Sequence, residues 1–121
     1  LMATLSTTLT FSSSDATSDS LKVTNTDSLT IGEPAVNIAR ASIATGSATN
    51  IITTANASIT YVYVKNTDTT NFVTVKIDAG TDFAVLSAGE FMLLPMKGGV
   101  GLEVQADTGA CIVEYGYWTK A

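Results

Sequence analysis

Turn signals recur about every 8 to 12 residues along this chain, and no stretch between them sustains a helical repeat. That rhythm restricts the fold to an antiparallel β-sandwich or barrel. The pattern is clearest over residues 58–118. Ile59-Thr60-Tyr61-Val62-Tyr63-Val64-Lys65 and Phe72-Val73-Thr74-Val75-Lys76-Ile77 are β-branched and aromatic, with polar residues interleaved. The linker Asn66-Thr67-Asp68-Thr69-Thr70-Asn71 has side chains that satisfy turn backbone, so the two runs are expected to pair as a β-hairpin. Further turns are expected at Asp78-Ala79-Gly80-Thr81-Asp82, Ser87-Ala88-Gly89-Glu90, Lys97-Gly98-Gly99 and Asp107-Thr108-Gly109. Between them, Phe91-Met92-Leu93-Leu94-Pro95-Met96 is continuously apolar, as in a strand buried on both sides or covered by a neighbour. Val100, Leu102, Val104 and Ala106 alternate cleanly. In the last strand Cys111, Val113, Tyr115 and Tyr117 share one face, and Ile112, Glu114, Gly116 and Trp118 the other.

The first half is less regular. Leu5, Leu9 and Phe11 fall on one face of an expected strand, read as an edge strand, followed by a Ser/Asp loop over residues 12–20. Leu21, Val23, Leu29 and Ile31 share odd positions in one long strand or two short ones, ended by Gly32-Glu33-Pro34. Val36, Ile38 and Arg40 alternate in a short extended segment. Residues 41–50 are read as a small-residue linker, because Thr, Ser, Gly and Asn recur too often for a helix. The expected fold is therefore all-β, an antiparallel sandwich of about 8–10 short strands in one domain over residues 1–121, with residues 1–20 as an N-terminal arm or edge strand.

Composition narrows the function classes. Hydrophobic residues make up 45% of the 121 and charged residues 14%, while Ser and Thr contribute roughly a quarter, so hydroxyls and amides must build most of the polar surface. So little charge points to a surface partly covered in the working state. The net charge is −5 and the six cations Lys22, Arg40, Lys65, Lys76, Lys97 and Lys120 are scattered, which argues against nucleic acid as a partner. No apolar run approaches the roughly 20 residues of a membrane-spanning helix, and no basic region precedes an apolar stretch at the N-terminus, so neither a membrane partner nor a secretory signal is expected. Leu1 stands before Met2, which points to a chain that starts downstream of its true start or after processing.

With no histidine and one cysteine, nucleophile–base pairs and zinc sites lack their parts. Cys111 lies in Ala110-Cys111-Ile112-Val113 and is read as a core thiol. Asp78, Asp82 and Glu90 are the nearest thing to a carboxylate pair, but all three sit at turns, where acidic residues serve the backbone. Residues 12–20 and 78–82 are rich in oxygen ligands without the spacing of a calcium loop. Gly98, Gly99 and Gly101 open a strand, so the helix N-terminus of a phosphate cradle is missing. Asn56-Ala57-Ser58 matches a glycosylation triplet but lacks a secretory context. No catalytic, metal or cofactor site is expected. The tyrosine pairs Tyr61/Tyr63 and Tyr115/Tyr117, with Trp118, fit a core or self-interface better than a sugar platform.

Three segments resemble small all-β virion proteins of tailed phages, particularly marine ones: the run Leu21-Lys22-Val23-Thr24-Asn25-Thr26-Asp27-Ser28-Leu29-Thr30-Ile31, then Tyr61-Val62-Tyr63-Val64-Lys65-Asn66-Thr67-Asp68, and Gly89-Glu90-Phe91-Met92-Leu93-Leu94-Pro95. The ending Val113-Glu114-Tyr115-Gly116-Tyr117 adds to the likeness. The resemblance implies a jelly-roll or related sandwich and a passive, multi-copy role in capsid decoration or in a tail or fibre. On that expectation the protein is not an enzyme. Its partners are copies of itself and other virion proteins, its location is the virion after assembly in a host cytoplasm, and its interface includes Tyr115, Tyr117, Trp118 and Phe72. The alternative is a carbohydrate-binding sandwich with a glycan partner.

Overall fold

Ten strands follow one another with no helix among the described residues, which in this computed structural model are 2–32, 38–77 and 80–121. β1 (Ala3–Ser13) and β2 (Leu21–Ile31) form a two-stranded hairpin of their own. The other eight are β3 (Ala39–Ile43), β4 (Thr49–Ile52), β5 (Thr60–Asn66), β6 (Val73–Ile77), β7 (Thr81–Leu86), β8 (Phe91–Met96), β9 (Leu102–Ala106) and β10 (Cys111–Thr119). They make two antiparallel sheets, ordered β3-β10-β5-β8 and β4-β9-β6-β7. The pairings are nested: β3 with β10, β4 with β9, β5 with β8, and β6 with β7. This is a long hairpin rolled over two sheets, the connectivity of a jelly roll.

The period-two patterns place the core. Val62 and Val64 of β5, Val73 and Val75 of β6, Leu102 and Val104 of β9, and Cys111 and Val113 of β10 are fully buried between the sheets. Ile43, Ile51, Ile52, Leu86 and Met96 complete the layer. Strict alternation fixes register here, since a one-residue slip in any of these strands would turn its valines to solvent.

Two expectations about pairing are corrected. The runs on either side of residues 66–71 do form strands, but β5 and β6 belong to different sheets and do not pair. β5 already has β10 and β8 on its two edges, and β6 has β9 and β7. The linker is an arch between sheets because Asn66 is buried at its base and bonds across the sandwich. β8 is not buried on both sides: it is an edge strand with Phe91 61% and Leu93 44% exposed, alternating with half-buried Met92 and Leu94. An edge accommodates Pro95, which has no N–H to give a ladder.

Elsewhere the linker over residues 41–50 is shorter than expected, since β3 and β4 take up both its ends. Residues 21–31 are one long strand. Of the residues expected to turn, Glu33, Pro34, Asp78 and Ala79 lie outside the described residues, as does Val36.

Candidate interaction surface

The hairpin of β1 and β2 is the part of the chain that the jelly roll does not need. Its strands pair in perfect register from Ala3 opposite Ile31 to Ser13 opposite Leu21. Its root is fastened to the end of β10: the Gly32 amide donates to the Thr119 carbonyl at 2.8 Å, the Ala121 amide to the Thr30 carbonyl at 3.1 Å, and Ile31 bridges Lys120. Farther out, Thr7, Thr8, Leu9, Asn25 and Asp27 face Phe91, Met92 and Leu93 across a cleft of about 310 Å³. β5 lies between β10 and β8, so an arm that starts beside one and reaches the other crosses β5. Tyr61, on the outer face of β5 between Trp118 and Pro95, is accordingly only 8% exposed.

The arm is longer than the sheet it crosses. Its strands have eleven residues each against seven in β5 and six in β8, and a strand rises about 3.3 Å per residue. Near the root the odd positions are covered, with Ala3, Leu5 and Leu29 half-buried and Ile31 buried. From the cleft outward the same face carries Leu9, on the cleft wall, at 50% and Phe11 at 47% exposure, with half-buried Val23 opposite Phe11 and Leu21 next to Val23. The tip, residues 14–20, is held by local bonds: the Ser13 hydroxyl donates to Asp15 at 3.0 Å and accepts from the Ala16 amide at 3.0 Å. These are backbone-serving roles for the oxygen-rich loop.

The outer face of the first sheet carries a second group. Glu114 on β10 accepts from the Tyr63 hydroxyl at 3.0 Å and pairs with Arg40 of β3 at 3.3 Å. Partial burial, then the hydrogen bond to Glu114 and its charge, raise the Tyr63 phenol above its ordinary pKa. The Arg40 side chain remains 66% exposed. Ile38 and Ile112 flank it at 47% and 43% exposure.

The residues expected at an interface are spread over both faces of β10 and the β5–β6 arch. Tyr115 and Tyr117 are half-buried against the core on the inner face of β10. Trp118 is half-buried on the outer face, its ring lying over Gly116 beside Ile38. Phe72 is half-buried at the end of the β5–β6 arch. Sequence reading passed over Leu9, Phe11 and Val23 as surface because their alternation is that of an ordinary half-buried strand. The available signal was length: the two runs on either side of the polar loop at residues 14–20 each alternate over eleven residues, longer than any later strand.

The acidic residues singled out from sequence serve turns. Glu90 accepts the Ser87 amide at 2.7 Å within its own turn, and Asp82 pairs with Lys76 at 3.5 Å; Asp78 lies outside the described residues. Among the described residues no three His, Cys, Asp or Glu side chains gather as metal ligands. Among the described residues no helix is long and apolar enough to cross a membrane.

Cys111 is fully buried, and burial first, then the charge of Asp68, push its thiol pKa up. A buried, protonated thiol is a poor nucleophile. Native protein is expected to leave a thiol-reactive disulfide probe unreacted until denaturant is added; rapid labelling of the folded protein would show that this part of the core opens. Asp68 accepts the Asn71 amide at 2.6 Å and the Thr70 amide at 2.9 Å, which hold its carboxyl below the ordinary value. A carboxyl lowered in the folded state stabilises fully above its unfolded pKa, and that contribution is lost as pH falls through the folded value. Below about pH 4 the native protein should lose stability more steeply than the Asp68→Asn variant. Parallel acid unfolding curves for the two proteins would refute this role.

No family model matches the chain, and no curated protein or solved structure is significantly similar to it.

Proposed function

We propose that the protein is a structural component of a virion, built in many copies, that decorates a phage capsid or forms part of a tail or fibre. The observation that carries this reading is the long arm of β1 and β2, whose distal apolar face is exposed on a single chain. A lone two-stranded hairpin is marginal in water, and an exposed apolar ribbon favours association. The jelly-roll core supports the reading by analogy, because capsid domains use that architecture; lectin domains use it too, so the fold alone does not choose. The glycan-binding alternative relies on open tyrosine rings. Tyr61 is closed off, Tyr63 is tied to Glu114, and Tyr115 and Tyr117 turn inward.

The test is the mass of the full chain by light scattering across a wide range of concentrations. The proposal expects a defined multiple of the 12.5 kDa monomer that dissociates on dilution. A strict monomer throughout, with glycan binding on an array, would replace it with the alternative.

A further inference from the structure

We propose that the distal half of the arm docks on the outer face of the β3-β10-β5-β8 sheet of a second copy, at the corner formed by Ile38, Arg40 and Ile112, so that each copy gives one arm and receives another. The inference rests on the multi-copy reading above and deepens it by naming the two surfaces that meet. Its first support is continuity. The odd face of β1 and β2 covers the outer face of its own sheet near the root and runs past β8 with the same apolar side exposed. A ribbon that fits one copy of this sheet face is already shaped for another.

The arm leaves one corner of that face open. It crosses from the Thr119 end of β10 to the Phe91–Leu93 stretch of β8, away from β3 and from the Cys111 end of β10. Ile38 and Ile112, both exposed, stand there to receive Leu9, Phe11 and Val23.

The exposed pair Phe91 and Leu93 on β8 already faces the copy's own arm across the cleft, and charge chooses between this corner and a further exposed pair, Phe83 and Val85 on β7. The arm tip, residues 14–20, holds Asp15 and Asp19 and no cation. Asp82 borders the β7 patch, with Asp107 in the neighbouring cleft, and Asp82's partner Lys76 is largely covered, so an acidic tip is repelled there. The β3 corner offers Arg40 at 66% exposure, with Lys65 on the same cleft. Glu114, paired with Arg40, and Asp68 on the same rim balance those two cations, so this corner is neutral, whereas Asp82 and Asp107 against Lys76 leave the β7 patch net negative.

Size decides how the copies connect. Five residue pairs and the tip loop cover on the order of 300 Å² from strand rise and spacing. A stable interface takes roughly 800 Å² per partner, so one arm contact is too small alone. A copy that both gives and receives an arm doubles the buried area, which favours a closed ring or a reciprocal pair over an open chain.

The experiment is a charge swap read by sedimentation velocity on the full chain. Asp15→Lys with Asp19→Lys, and separately Arg40→Glu, are expected to raise the concentration of half-assembly at least tenfold. The variant carrying all three changes is expected to recover assembly to within a few-fold of the parent. Phe11→Ser should weaken assembly similarly, while Phe83→Ser should not. Circular dichroism of every variant reports whether the sandwich is folded. If the parent assembles and the arm and Arg40 variants assemble equally well, or if Phe83→Ser is the change that disrupts it, the docking site is wrong and the multi-copy reading stands. A parent that is a monomer at all concentrations removes both.

Discussion

Replacing Asn66 with alanine is expected to lower the unfolding free energy by about 3 kcal/mol, from lost hydrogen bonds and buried groups left unpaired. Asn66 is fully buried at the end of β5. Its amide nitrogen donates to the Asn71 carbonyl at 2.9 Å and the Leu86 carbonyl at 3.0 Å, and its side-chain oxygen accepts the Asp68 amide at 3.0 Å. Its backbone bonds Glu90 and Gly89 in the β7–β8 turn. One residue, through its side chain and its backbone, therefore ties the arch to the β7–β8 turn at that end of the sandwich. Asn66→Asp should be worse than alanine, because it points a carboxylate oxygen at two carbonyls and buries an unpaired charge. Urea unfolding of the three proteins checks this. An alanine variant within about 1 kcal/mol of the parent would mean that water replaces the lost partners.

Gly98→Ala is expected to cost about 3 kcal/mol or more, at the upper end of overpacking effects. A methyl placed on Gly98 overlaps the Ala57 carbonyl, a backbone atom that cannot rotate away. The contact is part of a lock between segments, since the Gly99 amide donates to the Asn56 carbonyl at 2.7 Å. Gly99→Ala provides the comparison. Gly99 has a φ of +79° but open space around it, so alanine there costs only the left-handed backbone penalty of about 1–2 kcal/mol. Thermal midpoints of the two variants should differ accordingly, with Gly98→Ala lower by on the order of 10 °C from the parent. The reverse order would show that residues 56–58 shift easily to make room.

The strands were legible in the sequence wherever alternation met a turn signal. β9 and β10 appear as expected, down to Cys111, Val113, Tyr115 and Tyr117 sharing the inner face. Which strand pairs with which was not legible, and the β5–β6 arch shows why. A polar six-residue linker between two β-rich runs looks the same whether its ends pair or separate. What separates them is a buried asparagine whose partners, Leu86 and the β7–β8 turn, come from about twenty residues away. The continuous apolar run of β8 misled in a related way. Its outward residues Phe91 and Leu93 look like core in sequence but face the arm cleft, which no local pattern encodes. The glycine pair at residues 98 and 99 could be excluded as a phosphate cradle, yet its function as a close backbone contact required the fold.

The surface argued for assembly was the least legible part. Tyr115, Tyr117, Trp118 and Phe72 are natural aromatic anchors by residue type. On the single chain those four are half-buried, while Leu9 and Phe11 of the arm are exposed, in a strand whose pattern matches any sandwich edge. Exposure there is a consequence of length: the arm overruns the sheet that covers its root.

Hydrogen–deuterium exchange of the arm at high and low protein concentration tests the account most directly. The distal segments, residues 9–13 and 21–25, should be protected only where the protein is assembled, while β5, β9 and β10 stay protected throughout. Distal arm amides equally protected in the dilute monomer would contradict the account, because the hairpin would then be stable without a second copy to cover it.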